Sequence, residues 1–137
     1  MGQFIEISYQ QTRLRAYEAR PAGAGPFPAL VVVQEWWGLN RNIQGIADRL
    51  AAEGYLALAP DLYDGQVGDS SGEAQKLMSQ YNSAAPAKCA EAFDALSMNQ
   101  DVRKIGTIGW CMGGRMSLHL AVNQPALDAA VIYYGRP

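Results

Sequence analysis

The sequence has little of what marks several common classes of protein. Its 137 residues include only two cysteines and one histidine, and two cysteines do not make a disulfide framework. Acidic and basic residues are mixed along the chain, and the net charge is −2, which argues against nucleic acid and against an electrostatic membrane anchor as partners. No apolar run is long enough to span a bilayer, and Met1 does not open a signal-peptide pattern.

What is present is the composition of a folded globular protein. Apolar residues make up 49 % of the sequence and charged residues 18 %, and the length suits one domain with a sizeable core. We therefore expect a single domain over residues 1–137, located in the cytoplasm with free thiols. We expect no metal ion and no cofactor.

The order of the predicted elements indicates an α/β fold. Polar and apolar residues alternate over residues 4–9 and 12–19, which predicts an antiparallel hairpin. Continuous apolar runs predict buried strands, and helical spacing predicts the helices between them. The strands are expected at 29–33, 55–59, 105–109 and 127–134, and the helices at 40–53, from Ser70, from Pro86 and at 112–123. This alternation predicts a doubly wound, mostly parallel sheet of about six strands.

One short segment indicates chemistry. Between a predicted strand and helix stands Gly109-Trp110-Cys111-Met112-Gly113-Gly114, the pattern of a nucleophile elbow with cysteine in the serine position. Such a turn would hold Cys111 at a helix N-terminus, where the helix dipole and free amides favour a thiolate and an oxyanion. The amide of Met112 is then a predicted oxyanion-hole donor. The alternative is a tight turn around a small buried thiol.

Several segments resemble the dienelactone hydrolase family over nearly the whole chain. They are Gln34-Glu35-Trp36-Trp37-Gly38-Leu39-Asn40, the run from Gly54-Tyr55 to Pro60-Asp61-Leu62-Tyr63, the elbow with its flanking strand, and residues 129–135. The resemblance implies an α/β-hydrolase fold in which Glu35 contacts the resting Cys111 and the Trp36 amide is the second oxyanion donor. A carboxylate after a central parallel strand also lies at the ligand-binding edge of the sheet. Glu35 as the cap of a turn is the alternative.

Four side chains are the predicted substrate-binding residues: Trp37, Trp110, Tyr63 and Lys76. The tryptophans line the pocket or pack as ordinary buried aromatics. Lys76 lies near the place of an arginine that binds the substrate carboxylate in the family. It substitutes as a point charge or is a solvated lysine on a helix surface.

The catalytic Asp and His of the family follow later strands, and this sequence has no counterpart of them. The last βα units of the fold are expected to be absent. His119 lies eight residues after Cys111 on one predicted helix, about 12 Å along its axis, and is expected in the core or an interface. Cys89 is expected to pack on an apolar helix face, and Asp61 to form an Asx-type turn or a cap.

The sequence therefore predicts a weak cysteine-nucleophile hydrolase of small carboxylic esters or lactones, which forms an acyl-enzyme on Cys111. The alternative is a weak or inactive hydrolase-fold fragment that serves in binding or assembly. A thiol redox protein is disfavoured because no C-x-x-C pair is present. Residues 129–134 should leave an exposed apolar strand edge, which predicts a homodimer or higher oligomer.

Overall fold

The computed structural model describes residues 1–137 and contains strands and helices in the predicted order. The strands are β1 (Gln3–Tyr9), β2 (Thr12–Ala19), β3 (Phe27–Val33), β4 (Leu56–Pro60), β5 (Val102–Trp110) and β6 (Ala129–Tyr133). The helices are α1 (Arg41–Ala52), α2 (Ser71–Tyr81), α3 (Ala85–Ser97) and α4 (Met112–Asn123). The predicted hairpin and the alternation of strand and helix are confirmed.

All six strands form one mixed sheet in the order β1-β2-β4-β3-β5-β6. The β1–β2 hairpin is antiparallel and joins β4 in antiparallel register. The strands β4, β3, β5 and β6 run parallel to one another. Because β3 and β5 are parallel neighbours, their carboxyl ends meet at one edge of the sheet, where the segments Gln34–Leu39 and Cys111–Gly113 begin.

Two apolar clusters cover the two faces of the sheet. On the face beneath α3 and α4, Val31 and Val33 pack with Phe93 and Met116. On the opposite face, Val32 packs with residues of α1 that include Ile43. Successive strand residues point to opposite faces, so a continuous apolar run is what a central strand covered on both sides requires.

Side-chain caps fix the beginnings of two helices. The Asn40 side chain accepts a hydrogen bond from the amide of Ile43 at 3.1 Å and opens α1, as expected. The Ser70 hydroxyl accepts from the Glu73 amide at 3.2 Å and opens α2. The Glu73 carboxylate in turn accepts from the amide of Asp69 at 2.8 Å, so the start of α2 is capped from both sides. These caps fix the segments on either side of the cleft described below.

The β6 strand forms one margin of the sheet, with β5 as its partner. Each of its residues is exposed, including Val131 and Ile132. The expected apolar strand edge is therefore present, while the homodimer through that edge stays a prediction. No helix in the structure combines the length and the apolar character needed to cross a membrane.

Candidate active site

Cys111 occupies a sharp turn between β5 and α4. Its backbone has φ 57° and ψ −119°, a left-handed φ that is unfavourable for a residue with a side chain. The Cys111 amide donates to the carbonyl of Tyr133 at 3.0 Å, and its carbonyl accepts from the Arg115 amide at 3.1 Å. The half-buried thiol therefore stands at the N-terminus of α4, as the elbow pattern predicts.

The glycines of the elbow are required by close backbone packing. A Cβ atom on Gly113 would overlap the carbonyl oxygens of Val33 and Gln34. A Cβ atom on Gly109 would overlap the carbonyl of Gly113. The first turn of α4 thus lies directly against the end of β3, which brings the Cys111 turn close to the segment that carries Glu35.

Two backbone amides are available at this edge. Met112 is the first residue of α4, so its N–H has no acceptor within the helix. The N–H of Trp36, which follows β3, makes no hydrogen bond within the protein. Both amides follow the ends of neighbouring parallel strands, which is the arrangement that the predicted oxyanion hole requires.

Gln34 fixes the segment that carries Trp36. Its side chain is fully buried, and its Oε1 atom accepts from the amide of Leu62 at 3.1 Å. Its Nε2 atom donates to the carbonyl of Glu35 at 3.3 Å. The turn after β3 is therefore tied to the loop after β4.

Glu35 is held by a residue that the sequence did not single out. The hydroxyl of Tyr134 donates to the Glu35 Oε2 atom at 3.0 Å. Tyr134 was expected to be the last residue of a strand, but it lies just past β6 with φ 39°. The only signal for it was its place in the family-like segment 129–135.

Two tyrosines flank Cys111. Burial, the hydrogen bond to Glu35, and the charges of Glu35 and Cys111 all raise the pKa of Tyr134. Burial and the charge of Cys111 also raise the pKa of Tyr63. The Tyr63 hydroxyl is fully buried and donates to the Met112 sulfur at 3.2 Å. Both phenols therefore remain protonated at neutral pH and can donate hydrogen bonds. A negative charge on Cys111 raises the pKa of both phenols.

A cleft of about 670 Å³ opens beside Glu35. Trp37 lines it together with Glu35, while Cys111 is not part of its walls. The charged residues of the other walls are Arg15, Arg41 and Asp69. Trp37 is thus placed where a molecule bound next to Glu35 would meet it.

The other three predicted substrate-binding residues lie away from this cleft. Tyr63 is fully buried, and its hydroxyl contacts the Met112 sulfur instead of the cleft. Trp110 stacks on Tyr133 with ring centroids 5.7 Å apart, in a separate groove against α1. Lys76 is exposed on α2 and forms no ion pair. The structure therefore brings Trp37 and Glu35 together, but not Trp110 or Lys76 with them.

The remaining polar candidates have structural positions. The Asp61 carboxylate accepts from the amides of Tyr63 and Gly65 and pairs with Arg15, so the predicted Asx-type turn is confirmed. His119 is exposed on the solvent side of α4, so it is not a core residue, while a place in an interface stays a prediction. No three His, Cys, Asp or Glu side chains come together as a metal site.

The model of the dienelactone hydrolase family matches residues 14–137. Two curated proteins are each 37 % identical to the whole chain: "Protein usf" of Aquifex pyrophilus and a "Putative carboxymethylenebutenolidase" of Aquifex aeolicus. The chain spans 63 % of the length of each.

Solved structures show the same similarity. A "Putative Dienelactone Hydrolase" of Klebsiella pneumoniae superimposes with a TM-score of 0.83 at 33 % identity over 99 % of this chain. A dienelactone hydrolase-like promiscuous phosphotriesterase from metagenomic libraries superimposes with a TM-score of 0.83 at 30 % identity over 98 %. The chain spans 60 % and 59 % of those two chains.

Proposed function

Because the chain belongs to the dienelactone hydrolase family, we propose that it carries the nucleophile of a hydrolase that cleaves small carboxylic esters or lactones. The observation that carries this proposal is the strained turn at Cys111, with φ 57° at the N-terminus of α4. Strain of this kind is retained in proteins where it positions a reacting group. A thiol that only fills space has no need of such a turn.

The proposed reaction begins with acyl transfer to sulfur. The Cys111 thiolate attacks the carbonyl carbon, a carbon–sulfur bond forms, and the carbonyl electrons move to oxygen. The amides of Met112 and Trp36 donate to that oxyanion. When the carbonyl re-forms, the bond to the alcohol oxygen breaks and the alkoxide leaves with a proton. Water then attacks the thioester and releases the acid and the Cys111 thiol.

Glu35 is the proposed acid–base partner of the thiol. Its carboxylate accepts the proton that Cys111 loses and returns one to the leaving alkoxide. The support for this role is the placement of Glu35 immediately after β3, at the edge where Cys111 follows β5, together with the fixed Tyr134 contact.

Turnover is proposed to be weak. The single histidine of this chain, His119, is exposed on α4 and lines a shallow groove with residues of α3. No histidine base therefore stands beside Cys111 for the water that deacylates the enzyme. An oxyanion hole and substrate binding alone leave a residual acceleration of about 10³–10⁴ over water.

We also propose a cytoplasmic location and a homodimer. The location is supported by two free thiols, Cys89 and Cys111, because free cysteines are typical of reducing compartments. The dimer is supported by the unpaired backbone of β6, onto which a second copy of β6 would add. Val131→Lys should convert the dimer to a monomer in light scattering. A wild-type monomer at the same concentration would contradict the dimer.

The function is tested by hydrolysis of p-nitrophenyl acetate by the wild type and by Cys111→Ala, with matched circular dichroism spectra. Cys89→Ala is the control for loss of a thiol elsewhere. We expect repeated turnover in the wild type and in Cys89→Ala, and none above background in Cys111→Ala. Equal rates in all three proteins would contradict the proposal.

A further inference from the structure

Lys88 is a buried cation that the proposed reaction does not use. It lies on α3 and is 5 % exposed. Its Nζ atom donates to the Leu62 carbonyl at 3.3 Å and to the Asp64 carboxylate at 3.1 Å. It also lies 5.1 Å from the centre of the Tyr81 ring, within the range of a cation–π contact. An ammonium group removed from water is costly unless several partners hold it, and two of these partners belong to the loop after β4, residues 61–65 (the β4 loop).

One residue that Lys88 holds, Leu62, supports the amide of Trp36. While the Leu62 carbonyl accepts from Lys88, the Leu62 amide donates to the Gln34 Oε1 atom at 3.1 Å. The Gln34 Nε2 atom donates in turn to the Glu35 carbonyl at 3.3 Å. The carbonyl of Glu35 and the N–H of Trp36 belong to one planar peptide group, so a hydrogen bond to the carbonyl also fixes the direction of the N–H.

The next residue of the β4 loop, Tyr63, supports the amide of Met112. Tyr63 is fully buried, and its hydroxyl donates to the Met112 sulfur at 3.2 Å. Its ring packs on Tyr81 with the ring centres 5.5 Å apart, and the Tyr81 ring is the one that contacts Lys88. Met112 is the first residue of α4, so this contact holds the first turn of the helix. Two adjacent loop residues thus support the two proposed oxyanion donors.

We propose that Lys88 is a positioning residue for the oxyanion hole, which it orders through the β4 loop. This inference rests on the proposed reaction of Cys111 and on the two amides proposed to bind the oxyanion. Lys88 does not line the cleft beside Glu35, so it acts only through the residues that it holds. Donors to an oxyanion are effective when they are fixed before the charge develops. An error of about 1 Å in such a geometry costs about a hundredfold in rate.

The test compares two reactions of Cys111 in Lys88→Met, which keeps an unbranched side chain of similar length and removes its charge. Acylation by p-nitrophenyl acetate and the following deacylation both pass through an oxyanion. Alkylation by iodoacetamide displaces iodide at a saturated carbon and forms no oxyanion. We expect kcat for the ester to fall about tenfold with KM within about twofold of that of the wild type. The rate of alkylation on the Cys111 peptide should stay unchanged.

A spectroscopic readout needs no substrate. In isotope-labelled protein, the backbone amide resonances of Trp36 and Met112 should shift in Lys88→Met, although Lys88 bonds to neither residue. Lys104→Met is the matched control, because Lys104 is an exposed lysine on β5 that pairs only with Asp128. It should leave both amide resonances, the ester kinetics and the alkylation rate as they are in the wild type.

With an active wild type, an unchanged kcat in Lys88→Met would overturn the inference, as would equal losses of hydrolysis and alkylation. An unmoved amide resonance of Trp36 or Met112 would overturn it in any case. Shifted resonances beside a wild type that hydrolyses no ester would count against the proposed function alone. If Lys88→Met does not fold, Tyr63→Phe removes only the hydroxyl that contacts Met112. It should lower kcat about threefold and shift the Met112 amide resonance, and the absence of both effects would overturn the inference.

Discussion

The two cysteines of this chain show how the surroundings of one side chain decide its use. Cys89 lies on the inner face of α3, 1 % exposed, in the apolar cluster under the sheet. Burial raises its pKa to about 12, against a smaller opposing effect of the Lys88 charge. Cys111 stands half-buried on a left-handed turn at the N-terminus of α4. The thiol of Cys89 therefore fills space in the core, whereas the thiol of Cys111 lies at the edge of the sheet where β3 and β5 end.

The contrast lies in the backbone as much as in the burial. Cys89 is one residue of a regular helix, and another small apolar residue would serve there. The Cys111 turn is maintained by Gly113, which packs against the carbonyl oxygens of Val33 and Gln34, and by the hydrogen bond from the Cys111 amide to the Tyr133 carbonyl. Substitutions at Cys89 should therefore affect side-chain packing, whereas substitutions around Cys111 should affect the backbone of the turn.

The largest expected difference is in reactivity. A pKa of about 12 instead of 9.0 leaves the Cys89 thiolate about a thousandfold scarcer than that of an ordinary cysteine at neutral pH. We expect iodoacetamide to modify the more accessible Cys111 in the folded protein and to leave the buried Cys89 unmodified over the same time, as followed by peptide mass spectrometry. In urea the two rates should converge. Comparable rates in the folded protein would break the comparison.

The next effect concerns the turn itself. Gly113→Ala places a Cβ atom against the carbonyls of Val33 and Gln34, which cannot move without shifting β3. We expect a loss of about 3 kcal/mol in the free energy of unfolding, measured by urea denaturation. Gly45→Ala is the matched control on α1, where a Cβ atom meets nothing within 4 Å. It should stabilise the fold by up to about 1 kcal/mol. Equal effects would show that the elbow packing is not rigid.

A third effect, confined to alkaline pH, is a pH dependence from Cys89. Its folded pKa of about 12 lies above the ordinary 9.0, so the unfolded chain loses this proton first as pH rises. The associated stability is complete below pH 9 and is lost between pH 9 and 12, by up to about 1.4 kcal/mol per pH unit. Cys89→Ala should flatten that alkaline slope in urea titrations. An unchanged slope would show that the thiol is not buried as described.

The sequence predicted the framework well because its signals are local. Buried parallel strands require continuous apolar runs. The sequences of β3 and β4 contain such runs. The β5 strand begins three residues earlier than expected, at Val102. Lys104, which pairs with Pro28 of β3, is exposed, so hydropathy gives no sign that the strand begins this early. The elbow was predictable because its glycines and cysteine have a fixed spacing.

The parts of the site that depend on tertiary contacts were not predictable. The Trp110 side chain lies on the side of the sheet covered by α1, where the Tyr133 ring stacks on it. Tyr134 reaches Glu35 because Gly135 packs against α4, a contact between distant segments. Residue type and spacing alone do not specify such contacts, so these assignments required the structure.

The most direct test of the central account is to look for the acyl group on Cys111. The protein is mixed with p-nitrophenyl acetate, quenched in acid within the first turnover, and analysed by intact and peptide mass spectrometry. The account predicts one acetyl group per chain, located on the peptide that contains Cys111 and absent from Cys111→Ala. Ester hydrolysis without an acetyl group on Cys111, or with the group on another residue in both proteins, would contradict it.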